Sequence, residues 1–357
     1  MLGLEQFAIG HHRGASQDHS RIARLSYHTP GYVELAKGAF DAWARLESDS
    51  EQRLLVNTGG LDLWPEGAAI PMADYTSSLS ARAVPFEILD AGEIHTRWPP
   101  FTLADDVAGL YQEAGGIAAA ARCNAAHIDM ARTLGATLRA GVRVTSLREN
   151  EGEVEVVTDE GTYRCRKAIV AADAWTNELL SPLGVTLPLT ITQEQVTYFQ
   201  AADLDAFSPE RFPIWIWMHE PSFYGFPVFG EAATKAAQDV GGREVTARSR
   251  TFETDEAALE RVVRFLETHI PGALGPVLYS KTCLYTMPPD RDFIIDSVLG
   301  HPDVLVAQGA AHGFKFASII GRIVSELAID GRTSHDISTF RMARPALTEP
   351  SPRRFLI

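Results

Sequence analysis

The first seven residues, MLGLEQF, constrain the fold more than any other stretch of this sequence. A short apolar run that ends in an acid and then becomes polar is typical of the end of a buried strand. In a dinucleotide-binding βαβ unit, the second strand ends in such an acid, ~20 residues after a glycine-rich turn, and the acid binds the adenosine ribose. Glu5 fits that position, although a lone acid after an apolar run is more often a strand end that meets solvent. No GxGxxG turn occurs in the chain.

The composition indicates a large globular protein and excludes several classes of partner. The chain has 357 residues, 45% hydrophobic and 22% charged, which predicts a sizeable core and two lobes. A formal net charge of −14 argues against nucleic acid and anionic membranes as partners. We find no run near the ~18 apolar residues of a membrane helix, and no signal-peptide pattern. Cys123, Cys165 and Cys283 lack metal or CxxC spacing, so we expect no metal site, no disulfide scaffold and a cytoplasmic location.

Helical and strand patterns alternate along the chain, which predicts interleaved lobes. Helices are predicted after the N-caps Thr29 and Thr254, and after a glycine-rich turn near residue 313. A helix of small residues over 122–138 is expected to bury Ala126 and Leu134. A β-meander is predicted over 141–175, with turns at Glu151-Gly152 and Glu160-Gly161 and a buried final run, AIVAA. The region 188–282 is rich in strands and aromatic residues.

Seven stretches of the chain occur, in the same order, in one enzyme family. They are GASQDHSRIARLSYH, VNTGGLDLWP, KAIVAADAWTNELL, FYGFPVFG, KTCLYTMPPDRDFIID, AAHGFKFASIIG and HDISTFRMARPAL. Together they resemble the FAD-dependent monomeric sarcosine oxidases and N-methyltryptophan oxidases of the D-amino acid oxidase superfamily. The resemblance implies a mixed α/β fold with a Rossmann-like FAD-binding domain (1–54, 120–186 and 290–345). A β-sheet-rich substrate domain (55–119 and 187–289) is interleaved with it, and a C-terminal tail (346–357) follows.

Compared with this family, the chain lacks the first strand, the glycine turn and the first helix, roughly 30 residues. A misplaced start or a true truncation would explain this. We expect the chain as written to bind FAD poorly or to fold poorly. A parallel strand normally pairs with its neighbour, and the glycine turn normally holds the pyrophosphate. Glu5 and Val144 are the residues of this half that the resemblance assigns to the cofactor.

Cys283, in KTCLYTMPPD, has two readings. A lone cysteine is usually a small buried hydrophobe. The resemblance instead implies a thioether link from this residue to the 8-methyl position of FAD, for which an electropositive site would favour the thiolate. We prefer the second reading. Cys123 and Cys165 lie in helix and strand patterns and are expected to pack.

Lys315, in AAHGFKF, lies where a helix is predicted to begin. A lysine there opposes the helix dipole, and a bound carboxylate would supply a reason for it. The resemblance implies that Lys315 pairs with the substrate carboxylate and also contacts the flavin. It assigns Gly309, His312, Gly313 and Phe314 to the cofactor as well.

The remaining candidates are charged and aromatic residues whose roles come from the resemblance. Arg24 belongs to the carboxylate clamp, and Arg21 lies closer to the flavin face. Lys235 activates O2, although a surface lysine is the alternative. Tyr224 and Tyr285 are catalytic residues that line the pocket. Trp215 and Asp239 bind substrate, and they stand where sarcosine-type members carry methionine and histidine, which indicates a different amine.

Three functions remain open from the sequence. The first is a monomeric FAD-dependent oxidase of a secondary or primary α-amino acid, in which hydride passes to the flavin and O2 becomes H2O2. The second is a flavin dehydrogenase or demethylase with another electron acceptor. The third is a truncated, inactive member that cannot hold FAD. The fold alone does not identify the amine.

Overall fold

The computed structural model describes residues 1–150 and 152–349, so Glu151 and most of the predicted C-terminal tail lie outside the described residues. The described chain forms seven α-helices: α1 (Pro30–Ser50), α2 (Met72–Ala81), α3 (Ala91–Arg97), α4 (Ala120–Thr133), α5 (Thr176–Leu180), α6 (Glu256–His269) and α7 (Ala317–Asp330). None of these helices is both long and apolar enough to cross a membrane.

Twenty strands in the described part of the chain form five sheets. The strands are β1 (Leu2–Glu5), β2 (Ser20–Ala23), β3 (Leu55–Asn57), β4 (Gly60–Trp64), β5 (Glu87–Leu89), β6 (Ala108–Gln112), β7 (Gly116–Ala119), β8 (Thr137–Ala140), β9 (Val144–Asn150), β10 (Glu153–Thr158), β11 (Thr162–Cys165), β12 (Ala168–Val170), β13 (Thr190–Phe199), β14 (Ile214–Trp217), β15 (Ser222–Phe226), β16 (Thr234–Asp239), β17 (Arg243–Glu244), β18 (Val277–Met287), β19 (Ile294–Val298) and β20 (His301–Gln308).

The largest sheet has nine strands in the order β17-β13-β16-β15-β14-β4-β6-β5, with β18 also paired to β13. All nine strands come from residues 60–112 and 190–287. Helix α6 covers one face, where Phe265 and Leu266 pack with aromatic side chains of β14 and β15. The opposite face of this sheet is therefore the one available to the rest of the molecule.

Two small sheets contain the parallel pairs expected of a dinucleotide-binding fold. β1 pairs with β8, and β12 pairs with β20, which β19 extends in antiparallel fashion. The two sheets are not joined by hydrogen bonds in the described chain. β9, β10 and β11 form the predicted meander. Two predictions fail here: Ile169 in the AIVAA run is 41% exposed, and β12 belongs to a different sheet from the meander.

Helices α1 and α7 form the core beside these sheets. Thr29 caps α1 by accepting from the Tyr32 amide, and Pro30 is its first residue, as predicted. Its apolar side packs with α7 residues such as Ile319 and Ile323.

The other two helical predictions need correction. Asp255, rather than Thr254, caps α6, because its carboxylate accepts from the Ala257 amide. Leu134 was expected to be buried, but it follows the last residue of α4 and is 81% exposed. The apolar stripe of α4 therefore ends before Leu134.

Candidate active site

One face of the nine-stranded sheet collects most of the predicted site residues. Alternate residues of a strand share a face, so Lys281, Cys283 and Tyr285 of β18 lie together. Lys235 of β16 lies on the same face, as the register of β16 with its neighbours β13 and β15 shows. Asp239 follows it four residues later, and Tyr224 of β15 pairs with Ala237 between them. We call this surface the site face.

Trp215 is a predicted substrate-binding residue that lies on the opposite face of this sheet. Its ring stacks on Phe265 of α6 at a centroid distance of 5.4 Å, inside the core on the other side of the sheet. The close approach of this ring requires Gly225 opposite, because a Cβ there would lie 2.4 Å from the indole. Trp215 therefore packs the sheet against α6.

A buried carboxylate organises the cations at one end of the site face. The Asp18 carboxylate lies 2.6 Å from Lys235 Nζ, 2.8 Å from Lys281 Nζ and 3.7 Å from an Arg21 guanidinium nitrogen. The Tyr198 hydroxyl donates to it at 2.6 Å. We call these five residues the Asp18 cluster. Burial raises the pKa of Asp18, but the charges of Lys235 and Arg21 outweigh burial and hold that pKa far below its ordinary value.

Lys235 is fully buried within this cluster. Its ammonium also donates to the main-chain carbonyl of Ser20 at 3.0 Å and to the Ser20 hydroxyl at 3.2 Å. Burial lowers the pKa of Lys235 to about 8, because the charge of Asp18 offsets only part of the desolvation. The alternative reading of Lys235 as an ordinary surface lysine does not hold.

Cys283 is buried beside this cluster, directly across from Glu194 of β13. Burial raises the pKa of the Cys283 thiol to about 11, while the charge of Arg21 acts in the opposite direction. The expected thiolate-favouring environment is therefore not met in this structure. Cys123 and Cys165 pack as expected, with Cys123 buried and Cys165 partly buried.

A second group of charges surrounds Lys315, just before α7. Arg24 forms an ion pair with Asp62 at 3.0 Å, and Arg291 forms one with Asp239, also at 3.0 Å. We call these four residues, with Lys315, the Lys315 cluster. It contains three cations and two carboxylates, so it carries one surplus positive charge.

Lys315 carries that surplus. Its Nζ donates to the main-chain carbonyl of His312 at 3.2 Å, and none of the ion pairs in the described chain includes it. Burial lowers the pKa of Lys315 to about 7, and the charges of Arg24 and Arg291 act in the same direction. The Nε atom of Arg24 is also buried without a hydrogen-bond partner among the described residues. The cluster can therefore accept an anion.

The turn before α7 contains the remaining predicted cofactor residues. Gly309 and Gly313 approach closely, since a Cβ on Gly309 would lie 3.1 Å from the Gly313 Cα. Phe314 stacks on Trp43 at 6.3 Å. Burial holds the pKa of His312 well below its ordinary value, so its ring is neutral. Its Nε2 donates to the Arg291 carbonyl, and its Nδ1 is buried without a partner in the described chain.

Two tyrosines connect these groups on the site face. The hydroxyls of Tyr224 and Tyr285 are 3.4 Å apart. Burial raises the pKa of both phenols above the ordinary value, so both remain neutral donors. The charges of Asp239 and Arg21 also act on the pKa of Tyr224, so the tyrosine pair lies near both clusters.

Glu5 and Val144 lie in other sheets from the site face. Glu5 accepts from the Phe7 amide at 2.7 Å and lies 3.5 Å from His11. Val144 begins β9 and packs beside the core around Leu147. Neither residue is brought to the clusters described above.

The polar end of a flavin fits the residues that are present. Its electron-rich edge suits the converging cations of the Asp18 cluster, and the unprotonated Nδ1 of His312 is an acceptor that suits an N–H of the ring. The chain offers no GxGxxG turn for the pyrophosphate. The fit therefore concerns the ring end of the cofactor.

Sequence reasoning missed four charged residues of the site: Asp18, Asp62, Lys281 and Arg291. All four lie within stretches that carried the family resemblance. Two of their ion pairs, Asp18 with Lys235 and Asp239 with Arg291, join residues more than 50 positions apart. An acid beside a predicted cation in the same motif was a usable signal for Asp18 alone.

Comparison with known proteins supports a single family. The model of the DAO family, FAD dependent oxidoreductase, matches residues 2–327. The monomeric sarcosine oxidase of Streptomyces avermitilis is 32% identical over 354 residues, which cover 97% of this chain and 91% of that protein. The N-methyl-L-tryptophan oxidase of Shigella flexneri is 30% identical and covers 94% of this chain and 90% of its own length.

A solved structure extends the likeness to the fold. NikD, an unusual amino acid oxidase essential for nikkomycin biosynthesis, superposes in its open form with a TM-score of 0.83. It is 28% identical, and the match covers 100% of this chain and 92% of NikD. The chain belongs to the DAO family of FAD-dependent oxidoreductases.

Proposed function

We propose that this protein oxidises the C–N bond of a secondary or primary α-amino acid to an imine, with O2 as the electron acceptor. The observation that carries the proposal is the surplus cation, Lys315, which lies beside the unpartnered Nε of Arg24. A lysine with no acid of its own, next to an arginine whose Nε lacks a partner in the described chain, suits the carboxylate of an amino acid. The relatives named above are, by their names, oxidases of sarcosine and of N-methyl-L-tryptophan, which are compounds of this class.

The residues around that cation orient the substrate. Lys315 and Arg24 bind the carboxylate, and the neutral hydroxyls of Tyr224 and Tyr285 line the site face next to it. Asp239 is neutralised by Arg291, so it contributes an ion pair rather than an isolated negative charge to the pocket wall. Bound FAD would supply the electron acceptor for the C–H bond next to the amine and would pass the electrons to O2.

Lys235 is the cation that we assign to the oxygen reaction. Its charge lies on the site face near Cys283 in a dry environment, where a fixed positive charge stabilises a developing anion. We also propose that FAD is joined covalently to Cys283, and that Gly309, Gly313 and Phe314 contact the cofactor. We propose a division into a FAD-binding domain and a substrate domain, and the position of all nine strands of the large sheet within 55–119 and 187–289 supports it. We propose that the protein acts as a monomer.

The test is a screen of primary and N-methyl α-amino acids, with hydrogen peroxide as readout and anaerobic bleaching of the flavin as a second readout. K315M should lose turnover of the substrate found, and K37M, which changes an exposed lysine in α1, should keep it. Anaerobic bleaching without peroxide in air would support the alternative, a dehydrogenase with another acceptor. Failure to bleach with any amino acid would contradict the proposed substrate class.

The covalent link has its own test. Wild-type protein should yield a flavin-modified tryptic peptide that contains TCLYTMPPDR, and Cys283→Ser should release its FAD on acid precipitation. Cys123→Ser should retain the flavin in the precipitate. Release of FAD from the wild type would contradict the proposed link.

A further inference from the structure

Asp18 is held in place more tightly than a loop residue ordinarily is. Its side chain is 3% exposed and accepts from Lys235, Lys281 and Tyr198 at 2.6–2.8 Å. Its backbone has a φ of +97°, in the region that favours glycine. A strained backbone that carries a buried carboxylate indicates that the carboxylate itself is needed at this point.

The hydrogen bonds of Lys235 show what that carboxylate does. An ammonium has three N–H donors. The three acceptors around Nζ are Asp18 Oδ2, the Ser20 carbonyl and the Ser20 hydroxyl, and Asp18 is the charged one among them. The direction of the lysine side chain is thus set by Asp18, in the loop before β2, and by Ser20, the first residue of β2.

We propose that Asp18 is the positioning residue for Lys235, holding its ammonium protonated and pointed along the site face. This inference rests on the proposed role of Lys235 in the oxygen reaction. Because all three N–H groups are already used, an incoming acceptor must replace one of the Ser20 bonds, while the Asp18 ion pair keeps the charge in place. Asp18 acts through Lys235 and needs no contact with the substrate.

The other groups that face Lys235 make the direction of the effect clear. Arg21 on β2 and Lys281 on β18 are cations, which oppose a charge on Lys235. The rings of Phe226 and Tyr198 lie 4.5 and 5.8 Å from Nζ, and Cys283 is a neutral thiol at its raised pKa. Asp18 is therefore the negative group that counters burial, and its loss should make Lys235 give up its proton at lower pH.

The chain is suited to a direct test because it contains five lysines, namely Lys37, Lys167, Lys235, Lys281 and Lys315. Protein labelled with ¹⁵N at lysine Nζ allows each amine to be titrated by NMR, and K235M identifies the resonance of Lys235. In Asp18→Asn, Lys235 should titrate about one pH unit or more below its value in the wild type. Asp205→Asn, which removes the acid of an exposed ion pair with Arg211, should leave the titration of Lys235 unchanged.

Two further variants protect the test against misfolding. Asp18→Gly suits the φ of +97°, so it keeps the backbone should the asparagine variant not fold. It should lower the titration of Lys235 as the asparagine variant does, and Asp18→Glu should restore part of the shift. Titration of Lys235 at the wild-type pH in both the Asn and the Gly variant would overturn the inference.

Kinetics then separate this inference from the proposed function. With Lys235 near pKa 8, about half the lysine is charged at pH 8, and about a tenth would be charged after a one-unit shift. Asp18→Asn should therefore slow reoxidation by O2 about fivefold at pH 8 and leave anaerobic reduction of the flavin unchanged. If K235M reoxidises normally, the role of Lys235 is wrong, whereas the NMR shift decides the positioning by Asp18 independently.

Discussion

The two charge clusters of the site differ in how their acids are distributed. In the Asp18 cluster, one carboxylate contacts all three cations, and Lys235 has an acceptor for each of its N–H groups. In the Lys315 cluster, each arginine has its own aspartate, and the lysine is left without an acid. The comparison teaches that a cation whose N–H groups all have acceptors stays fixed in place, whereas a cation without an acid partner can bind an anion.

The largest effect is expected from the removal of an acid that serves one buried cation. Asp62→Asn leaves Arg24 buried without its ion pair and should lower the free energy of unfolding by about 3–5 kcal/mol. Chemical denaturation measures this loss. Asp205→Asn, at an exposed pair, should lose about 0–1 kcal/mol. Equal losses in the two variants would mean that the buried pair adds nothing beyond a surface pair.

Loss of Lys235 should affect only the reaction of the reduced flavin with O2. Lys235→Met should slow reoxidation by O2 about 100- to 1,000-fold, the usual result of removing one preorganised charge-stabilising group. Stopped-flow measurement of flavin reduction without O2 should give a rate close to wild type. Lys167→Met, which removes the lysine of an ion pair with Asp303, serves as the control and should reoxidise normally. Equal losses in both half-reactions of Lys235→Met would refute its assignment.

Loss of Lys315 should affect the binding of carboxylates. Lys315→Met should weaken the binding of propionate, a carboxylate with no amine, by about 2 kcal/mol or more, which is about 30-fold. Perturbation of the flavin absorbance reports the dissociation constant. Lys37→Met is the control. Unchanged propionate affinity in Lys315→Met would remove the difference between the two clusters.

The smallest effect concerns pH. The pKa of Lys315 is lowered to about 7 by burial, so the ammonium is charged below that pH and neutral above it. Propionate should therefore bind well at pH 6, and its dissociation constant should rise about tenfold between pH 6 and pH 8 before it levels off at the value of Lys315→Met. The same titration of Lys315→Met should be flat. A dissociation constant that is constant from pH 6 to 9 in the wild type would contradict the surplus charge at Lys315.

The sequence supports local predictions well because neighbours in the chain decide them. Thr29 and Pro30 begin α1 as expected, since a cap and a fixed φ act within one turn. Lys315 lies between two phenylalanines in the sequence, and it is partly buried. Exposed Leu134 shows the limit, because helical spacing does not tell where a helix ends.

Long-range relations could not be predicted in the same way. The sequence IWIW on β14 is apolar throughout, so the alternation of residues does not reveal which side meets the site. The resemblance assigns Trp215 to the substrate, and the alternation of β14 gives no signal against this, although Trp215 packs on α6. Asp18 and Arg291 form ion pairs with residues far along the chain, and nothing in the local sequence pattern identifies such partners.

The alternation of the large sheet has a consequence for how this protein can change. On β18, Cys283 and Tyr285 belong to the site face, whereas Leu284 between them is fully buried in the other direction. Adjacent codons therefore encode residues of opposite faces, and selection can change the site face while the opposite, packed face stays constant. A library that varies alternate positions of β15, β16 and β18 explores new chemistry on a fixed scaffold, and a library that varies the intervening positions explores the scaffold beneath fixed chemistry.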